Sequence, residues 1–411
     1  MRKHLKMTLA LCFLLPFIFL NNAYAGGKSA TVRHHGWYGN NIEILSNMIA
    51  EHGKGSPGYD EKSPPVAAFD WDNTVIKNDV GDAVLFWMLA NNKVLQPPKK
   101  DWRKLSPLLT FDAAAALKNA CTSQAEPGKP LITNQTDAKS IACADEIFAI
   151  YDSGKTTSGA GAWKDGAQTE TMEPAYAWAV SLQAGYTPAE IKSFAEQAIA
   201  FSLGNEVGAM QTIGSKKDIT SYIRIYDQMK DLISALESAG FDVWVISASS
   251  QPLVEAFAAR VGIASDCVIG IRAALDKKGK ATARFQGCSQ YPEKNYGIIS
   301  YGQGKRCWLN KVAFGRTAPV SQMNDKSPLV FAAGDSDGDL YFLKDAEYRL
   351  VLNRNKAELM CNAYAGARSV NPADGVWIIN PMFIKPKPKR TKPYDCSGYG
   401  LPDYVDLVYG P

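Results

Sequence analysis

Apolar residues first recur at helical spacing at Ile42, Leu45 and Ile49, which predicts a short helix over 41–52 with Asn40 or Asn41 as its cap. A turn-rich stretch, Gly53 to Pro65, follows. Val66-Ala67-Ala68-Phe69 then runs unbroken into Asp70, the pattern of a strand buried on both faces. From 81 to 220 helical patterns dominate. Thr187-Pro188-Ala189-Glu190 is a capping box with proline at the first helical position, and Ile191, Phe194, Ala195, Ala198 and Ile199 make one stripe behind it. Residues 120–172 are polar and rich in Gly, Ser and Thr, so this part is predicted to be irregular.

Near 221 the pattern changes to alternating helix and strand. Met229, Leu232, Ile233 and Leu236 line a helix that Gly240 ends. Strands are predicted at Phe241–Ile246 and Leu329–Ala333, with an edge strand at Arg349–Leu352. Strands separated by helices indicate a doubly wound, Rossmann-like α/β core. That core is split: residues 66–80 and 221–380, with a mostly helical insertion over 81–220. Residues 26–65 form an N-terminal extension. The segment 381–411 carries Lys385-Pro386-Lys387-Pro388-Lys389-Arg390, a basic, proline-rich tail read as an exposed, extended connector. No internal repeats are present.

Residues 1–25 read as a secretory signal. Arg2, Lys3 and Lys6 precede an uncharged stretch from Met7 to Leu20, and Ala23-Tyr24-Ala25 gives a small-x-small cleavage site. Fourteen residues fall short of the ~20 that span a bilayer. No other segment is long and apolar enough to cross a membrane. Export to the periplasm or beyond follows, and with it an oxidising compartment. Seven cysteines remain after the signal, and nearest-neighbour pairing gives 121–143, 267–288 and 361–396, with Cys307 free.

The signal also changes the reading of charge. The chain has 45 Lys+Arg against 41 Asp+Glu; three of the basic residues lie in the signal, leaving 42 against 41. No basic surface for nucleic acid is implied. The four histidines, His4, His34, His35 and His52, all precede the core. A Ser-His-Asp or Cys-His nucleophile and most catalytic zinc sites are thereby excluded. Chemistry must run on carboxylates, lysines, hydroxyls or a hard metal ion.

Four signals supply those groups. Asp70-Trp71-Asp72-Asn73-Thr74 leaves the first strand, and Ser247 ends the second. Lys305 lies in Gly302-Gln303-Gly304-Lys305. Gly334-Asp335-Ser336-Asp337-Gly338-Asp339 follows Leu329–Ala333. In an open α/β sheet the ligand crevice lies at the carboxyl ends of the strands. Two carboxylates 4 Å apart repel by about 4 kcal/mol at an effective dielectric near 20. A divalent cation, a lysine or a proton must therefore hold such a cluster together. Oxygen-only donors point to Mg²⁺.

The four motifs, in this order, resemble the haloacid dehalogenase superfamily of phosphatases, in its phosphoserine-phosphatase-like branch, with some resemblance to secreted phosphorylcholine phosphatases. The likeness covers residues ~66–80 and ~222–355, and the helical block 81–220 corresponds to that family's cap domain. The resemblance implies Asp70 as nucleophile forming an aspartyl-phosphate and Asp72 as acid and then base. It implies Mg²⁺ held by Asp70, the Asp72 carbonyl and Asp335, with Asp339 in support. Ser247 and Lys305 are implied to bind the phosphoryl group, Thr74 to fix the first loop, and Asp79 to meet a substrate amino group. The expected activity is hydrolysis of a small phosphomonoester, phosphoserine or phosphocholine. The alternatives are a phosphotransferase of the same fold and a non-catalytic binding protein. Aromatics in the insertion (Trp87, Trp102, Trp163, Tyr176, Trp178) are read chiefly as its core, and Asp337 as a solvated loop residue.

Overall fold

The computed structural model describes residues 31–288 and 297–410. The signal read in residues 1–25 lies outside them. Helix α1 (Asn41–His52) precedes strand β1 (Val66–Phe69), and a short strand β2 (Ile76–Lys77) leads into α2 (Val80–Ala90). Helices α3 (Phe111–Cys121), α4 (Ala138–Ser153), α5 (Pro174–Ser181) and α6 (Pro188–Gly204) complete the insertion, with a hairpin of β3 (Met210–Ile213) and β4 (Lys216–Thr220). Strand β5 (Arg224–Ile225) pairs antiparallel with β2, so one small ribbon closes the way in and out of the insertion. After α7 (Asp227–Ser238) come β6 (Asp242–Ser250), α8 (Gln251–Ala258), β7 (Val268–Ile271) and the hairpin β8 (Ala273–Leu275)–β9 (Ala281–Phe285). The remainder runs through α9 (Gln303–Val312), α10 (Pro319–Asn324), β10 (Phe331–Gly334), α11 (Leu340–Asp345), β11 (Tyr348–Asn353), α12 (Ala357–Arg368) and β12 (Val376–Pro381).

Six strands form one sheet in the order β12-β11-β10-β1-β6-β7, every pair parallel. Read along the chain, this is the doubly wound α/β arrangement, and the order reverses between β1 and β10. Its central strands carry no polar face: Ala67, Ala68, Phe69, Phe331, Ala332 and Ala333 are all fully buried. Phe69 meets Phe331 across the β1–β10 pair at 5.3 Å. The capping box at Thr187 forms as read, and Ile191, Ala195, Ala198 and Ile199 face the interior.

Four expectations are corrected. The segment 120–172 is not irregular: α4 occupies sixteen residues of it, capped by Asp137 through the backbone N–H groups of Lys139 and Ser140. Its inner face mixes Ser140, Cys143 and Ala144 with Ile147 and Ile150, which dilutes the apolar stripe. The strand at 348–353 is not an edge, because β12 pairs along its whole length. Pro381 ends β12; a missing N–H is tolerated at a sheet edge. Cys288 bonds Cys307 rather than Cys267, so Cys307 is not free; the chain leaves the β8–β9 hairpin toward α9, where Cys307 is buried. The other two expected bridges, 121–143 and 361–396, are present.

The tail is the fourth correction. Its lysines are exposed, but the segment is stapled to the core. Cys396 bonds Cys361 on α12, and Tyr394 and Tyr404 pair as an isolated bridge. Buried Asp406 accepts from Asn353 at 3.0 Å and from Tyr364 at 2.9 Å. Replacing Cys361 and Cys396 together by alanine opens a loop of sequence separation 35. A loss of about 2–4 kcal/mol is expected, read as a lower urea midpoint. Among the described residues no helix is long and apolar enough to cross a membrane.

Candidate active site

Asp70 is the first residue beyond β1 and Asp335 the first beyond β10, so the strand-order reversal sets two carboxylates side by side. The loop after Asp70 folds back sharply. Asn73 and Asn78 adopt φ of 61° and 68°, a region asparagine tolerates better than most residues. The Asn73 N–H donates to the Asn78 carbonyl at 3.0 Å, and the Asn78 N–H to Asn73 Oδ1 at 3.2 Å. Asp72 therefore faces α2 and the end of β6. The second acidic loop is equally constrained. A Cβ at Gly334 would lie 2.7 Å from the Asp339 Cβ, so only glycine fits there. Asp339 Oδ2 accepts the backbone N–H groups of Asp335 (3.0 Å) and Ser336 (2.9 Å).

Lys305 joins the two loops. Its Nζ lies 2.6 Å from Asp70 Oδ1 and 2.6 Å from Asp339 Oδ1, with the side chain 3% exposed. Burial alone would lower its pKa, but Asp339 and Asp70 outweigh that and raise it, which favours the ammonium form. Thr74 Oγ1 lies 2.9 Å from Asp70 Oδ2 and 3.3 Å from Asp335 Oδ1. Arg354 Nη1 meets Asp335 Oδ2 at 2.6 Å. Asp72 is held by the Val80 N–H (2.7 Å), Ser249 Oγ (2.8 Å) and Ser247 Oγ (3.2 Å).

Burial raises the Asp70 carboxyl well above its ordinary range; Asp339 adds to the shift and Lys305 opposes it. Asp72 is also raised, by burial first and then by Asp79 and Asp70. Asp335 is raised by burial against the pull of Arg354. Asp70, Asp335 and Asp339 each offer an oxygen within 4.8 Å of the others, a donor set of hard oxygens that suits a divalent cation. The Asp72 carboxylate is not in that group, and only its backbone carbonyl remains for the metal role implied for it.

These residues line or back a crevice of about 70 Å³. Asp70, Asp72, Asp79, Lys305 and Asp335 line it; Thr74, Ser247 and Asp339 are buried behind. Asp79 also caps α2, accepting from the Asp82 N–H at 3.1 Å. Tyr151 and Tyr176 of the insertion form part of the wall with Tyr301. The tryptophans do not. Trp102 and Trp178 are buried and meet in a tilted pair at 5.8 Å, as expected of core. Asp337 is no idle loop residue: it accepts the Leu359 N–H at 2.8 Å in the first turn of α12.

Sequence reasoning missed Arg354, Ser249, Tyr151 and Tyr301, and it read Tyr176 chiefly as core although Tyr176 lines the crevice. Arg354 had a usable signal, since Asn353-Arg354-Asn355 leaves an apolar strand at the same carboxyl edge as the other motifs. Ser249 lies on the nine-residue β6, two positions past Ser247 and hence on the same face.

Residues 214–344 match the family model for haloacid dehalogenase-like hydrolases. No curated protein matches the sequence. A conserved protein of unknown function from Anaerococcus prevotii DSM 20548 is 22% identical, with 85% of this chain and 94% of that one covered and a TM-score of 0.63. At that identity the likeness is one of fold. A protein of unknown function from Bordetella pertussis Tohama I is 15% identical, over 74% of this chain and 95% of that one, with a TM-score of 0.41. A phosphoserine phosphohydrolase-like protein from Francisella tularensis subsp. tularensis SCHU S4 is 12% identical, over 71% and 88%, at 0.33. These looser likenesses support no conclusion about function. The parallel sheet is doubly wound about the Asp70–Asp335 crevice, and residues 214–344, which hold the Lys305 and Asp335 motifs, carry a haloacid dehalogenase-like hydrolase domain.

Proposed function

We propose that the protein is an exported, Mg²⁺-dependent phosphomonoesterase that hydrolyses a small organic phosphate through a phosphoryl group carried on Asp70. The observation that carries this reading is Asp70 itself, set at the sheet's switch point with Lys305 2.6 Å from one carboxylate oxygen and Asp72 held beside it. Asp70, Asp335 and Asp339 would hold Mg²⁺, which when bound supplies charge compensation to the phosphoryl oxygens. Lys305 supplies a fixed positive charge at the same place. Helices 80–204 act as the cap, and the narrow crevice favours a small ester. Three disulfides among the described residues accord with export.

Asp72 acts as acid and then base. Its raised pKa keeps the carboxyl protonated to higher pH than an ordinary aspartic acid, which is the form needed to protonate a leaving alkoxide. Ser249, Ser247 and the Val80 N–H hold it in place. Phosphoserine and phosphocholine are the leading substrates. Phosphoserine follows from the branch that the motifs resemble, in which Asp79, a residue of the crevice wall, would meet the amino group. Phosphocholine follows from export and from the tyrosines around the crevice, whose faces attract a quaternary ammonium.

The test is phosphate release from p-nitrophenyl phosphate with and without Mg²⁺, followed by a panel of phosphoserine, phosphocholine and phosphoethanolamine. No Mg²⁺-dependent release from any of them sinks the reading. Asp72→Asn is expected to slow alkyl esters by roughly 10²–10⁴-fold, and p-nitrophenyl phosphate less, because a nitrophenolate leaves without a proton. The wild-type kcat/KM on alkyl esters should fall as pH rises through the Asp72 pKa. Equal losses on both ester types would remove Asp72 as the acid.

A further inference from the structure

A second cavity, of about 250 Å³, lies beyond Arg354 from the crevice. Lys77 of β2, Asn78, Tyr222, Arg354 and Lys387 of the tail line it. Its position is structural: β2–β5 is the ribbon joining the insertion to the core, and the tail closes over it. Lys77 is only 7% exposed. Burying an ammonium is costly unless a counter-charge or strong acceptors receive it. Among the described residues no carboxylate forms an ion pair with Lys77. Its contacts are weak ones, the Lys385 carbonyl at 3.5 Å and Met382 Sδ at 3.8 Å.

The surroundings add positive charge. Burial, then Lys387, Arg354 and Lys385, lower the Lys77 pKa to about 8. Two acids, Asp79 and Asp82, also line the cavity, but burial raises both carboxyls, Asp82 to about 7, and so weakens them as counter-charges. Asp79 takes the Asp82 N–H at 3.1 Å, and Asp82 takes the Tyr151 hydroxyl at 2.5 Å. Arg354 is fixed in place: Asn353 and Asn355 on either side are held by Tyr394, at 3.2 and 2.6 Å.

We propose that this cavity is a second oxyanion site, taking inorganic phosphate or an anion of the same shape, held by Lys77, Lys387 and Arg354 apart from Asp70. A tetrahedral oxyanion offers each of the three cations an acceptor and satisfies the buried ammonium. Through Lys77 and Lys387 it would tie the insertion's ribbon to the tail.

The test is equilibrium dialysis of labelled orthophosphate against the full chain in EDTA, at fixed ionic strength. One phosphate per chain is expected. Sulfate should displace it, and chloride at equal ionic strength should not. Lys387→Gln removes an exposed side chain and should leave the fold intact, so it is the first variant. It and Lys77→Gln are each expected to weaken binding by about tenfold or more. An unbound wild-type chain, displacement by chloride as readily as by sulfate, or binding that both variants leave unchanged overturns the proposal. The measurement reads binding rather than turnover, so it stands or falls independently of the phosphatase reading.

Discussion

Asp70→Asn is expected to lower phosphoester turnover by at least roughly 10⁴-fold while leaving the fold in place. The amide is isosteric with the carboxylate, and its oxygen still accepts from Lys305 or Thr74. Lys305 keeps its 2.6 Å partner Asp339. Removing one of several crowded carboxylates also relieves repulsion, since Asp339 and Asp335 both push the Asp70 carboxyl upward. The melting temperature should therefore hold or rise as activity vanishes. That combination separates a lost nucleophile from a damaged site. The wild-type chain, quenched during turnover of labelled substrate, should carry label that hydroxylamine releases as from an acyl phosphate. The variant should carry none. Equal turnover in the two chains would remove Asp70 from the nucleophile's role.

Asp70 was legible because the chemistry and the fold leave traces in the same few residues. A strand buried on both faces reads as an unbroken apolar run, so β1 and β10 could be found, and the acids just beyond them were then strand-end acids. The capping box at Thr187 was legible for a similar reason, since its signal is local. The misreadings share a different cause. Helix α4 turns small and sulfur-bearing residues inward, and Cys143 is there for its disulfide, so no apolar stripe announces the helix. The pairing of Cys288 with Cys307 depends on where the β8–β9 hairpin delivers the chain, which no local pattern encodes. Arg354 was overlooked because the strand before it was taken for an edge. The sheet places Asn353 against Pro381 of β12, and the tail that looked like a loose connector holds both neighbours of Arg354. Long-range packing, not composition, assigns that residue to the crevice.

Lys305→Met is expected to destabilise the metal-free chain by about 3–5 kcal/mol at neutral pH, the range for removing one partner of a buried ion pair. The methionine fills much of the same volume, so the loss is electrostatic rather than a cavity. In the wild type the raised Lys305 pKa means its contribution is complete below the unfolded lysine value, ~10.4, and fades only as pH rises through the folded one. Between pH 5 and 8 that contribution is flat. The variant behaves differently. Asp70, Asp335 and Asp339 face one another with Arg354 as the remaining cation at 2.6 Å from Asp335. The repulsion is felt while Asp70 and Asp335 are ionised, above their raised folded pKa values, and disappears as those two take up protons. The stability difference between the two chains should thus be widest near neutrality and narrow as pH falls toward ~4. Mg²⁺, expected at the same three carboxylates, should raise the variant's melting temperature more than the wild type's, since it replaces a missing positive charge. Urea unfolding at several pH values, with and without Mg²⁺, measures all of this. A difference that stays constant with pH would mean that Lys305 contributes by packing, and that the carboxylates do not need its charge.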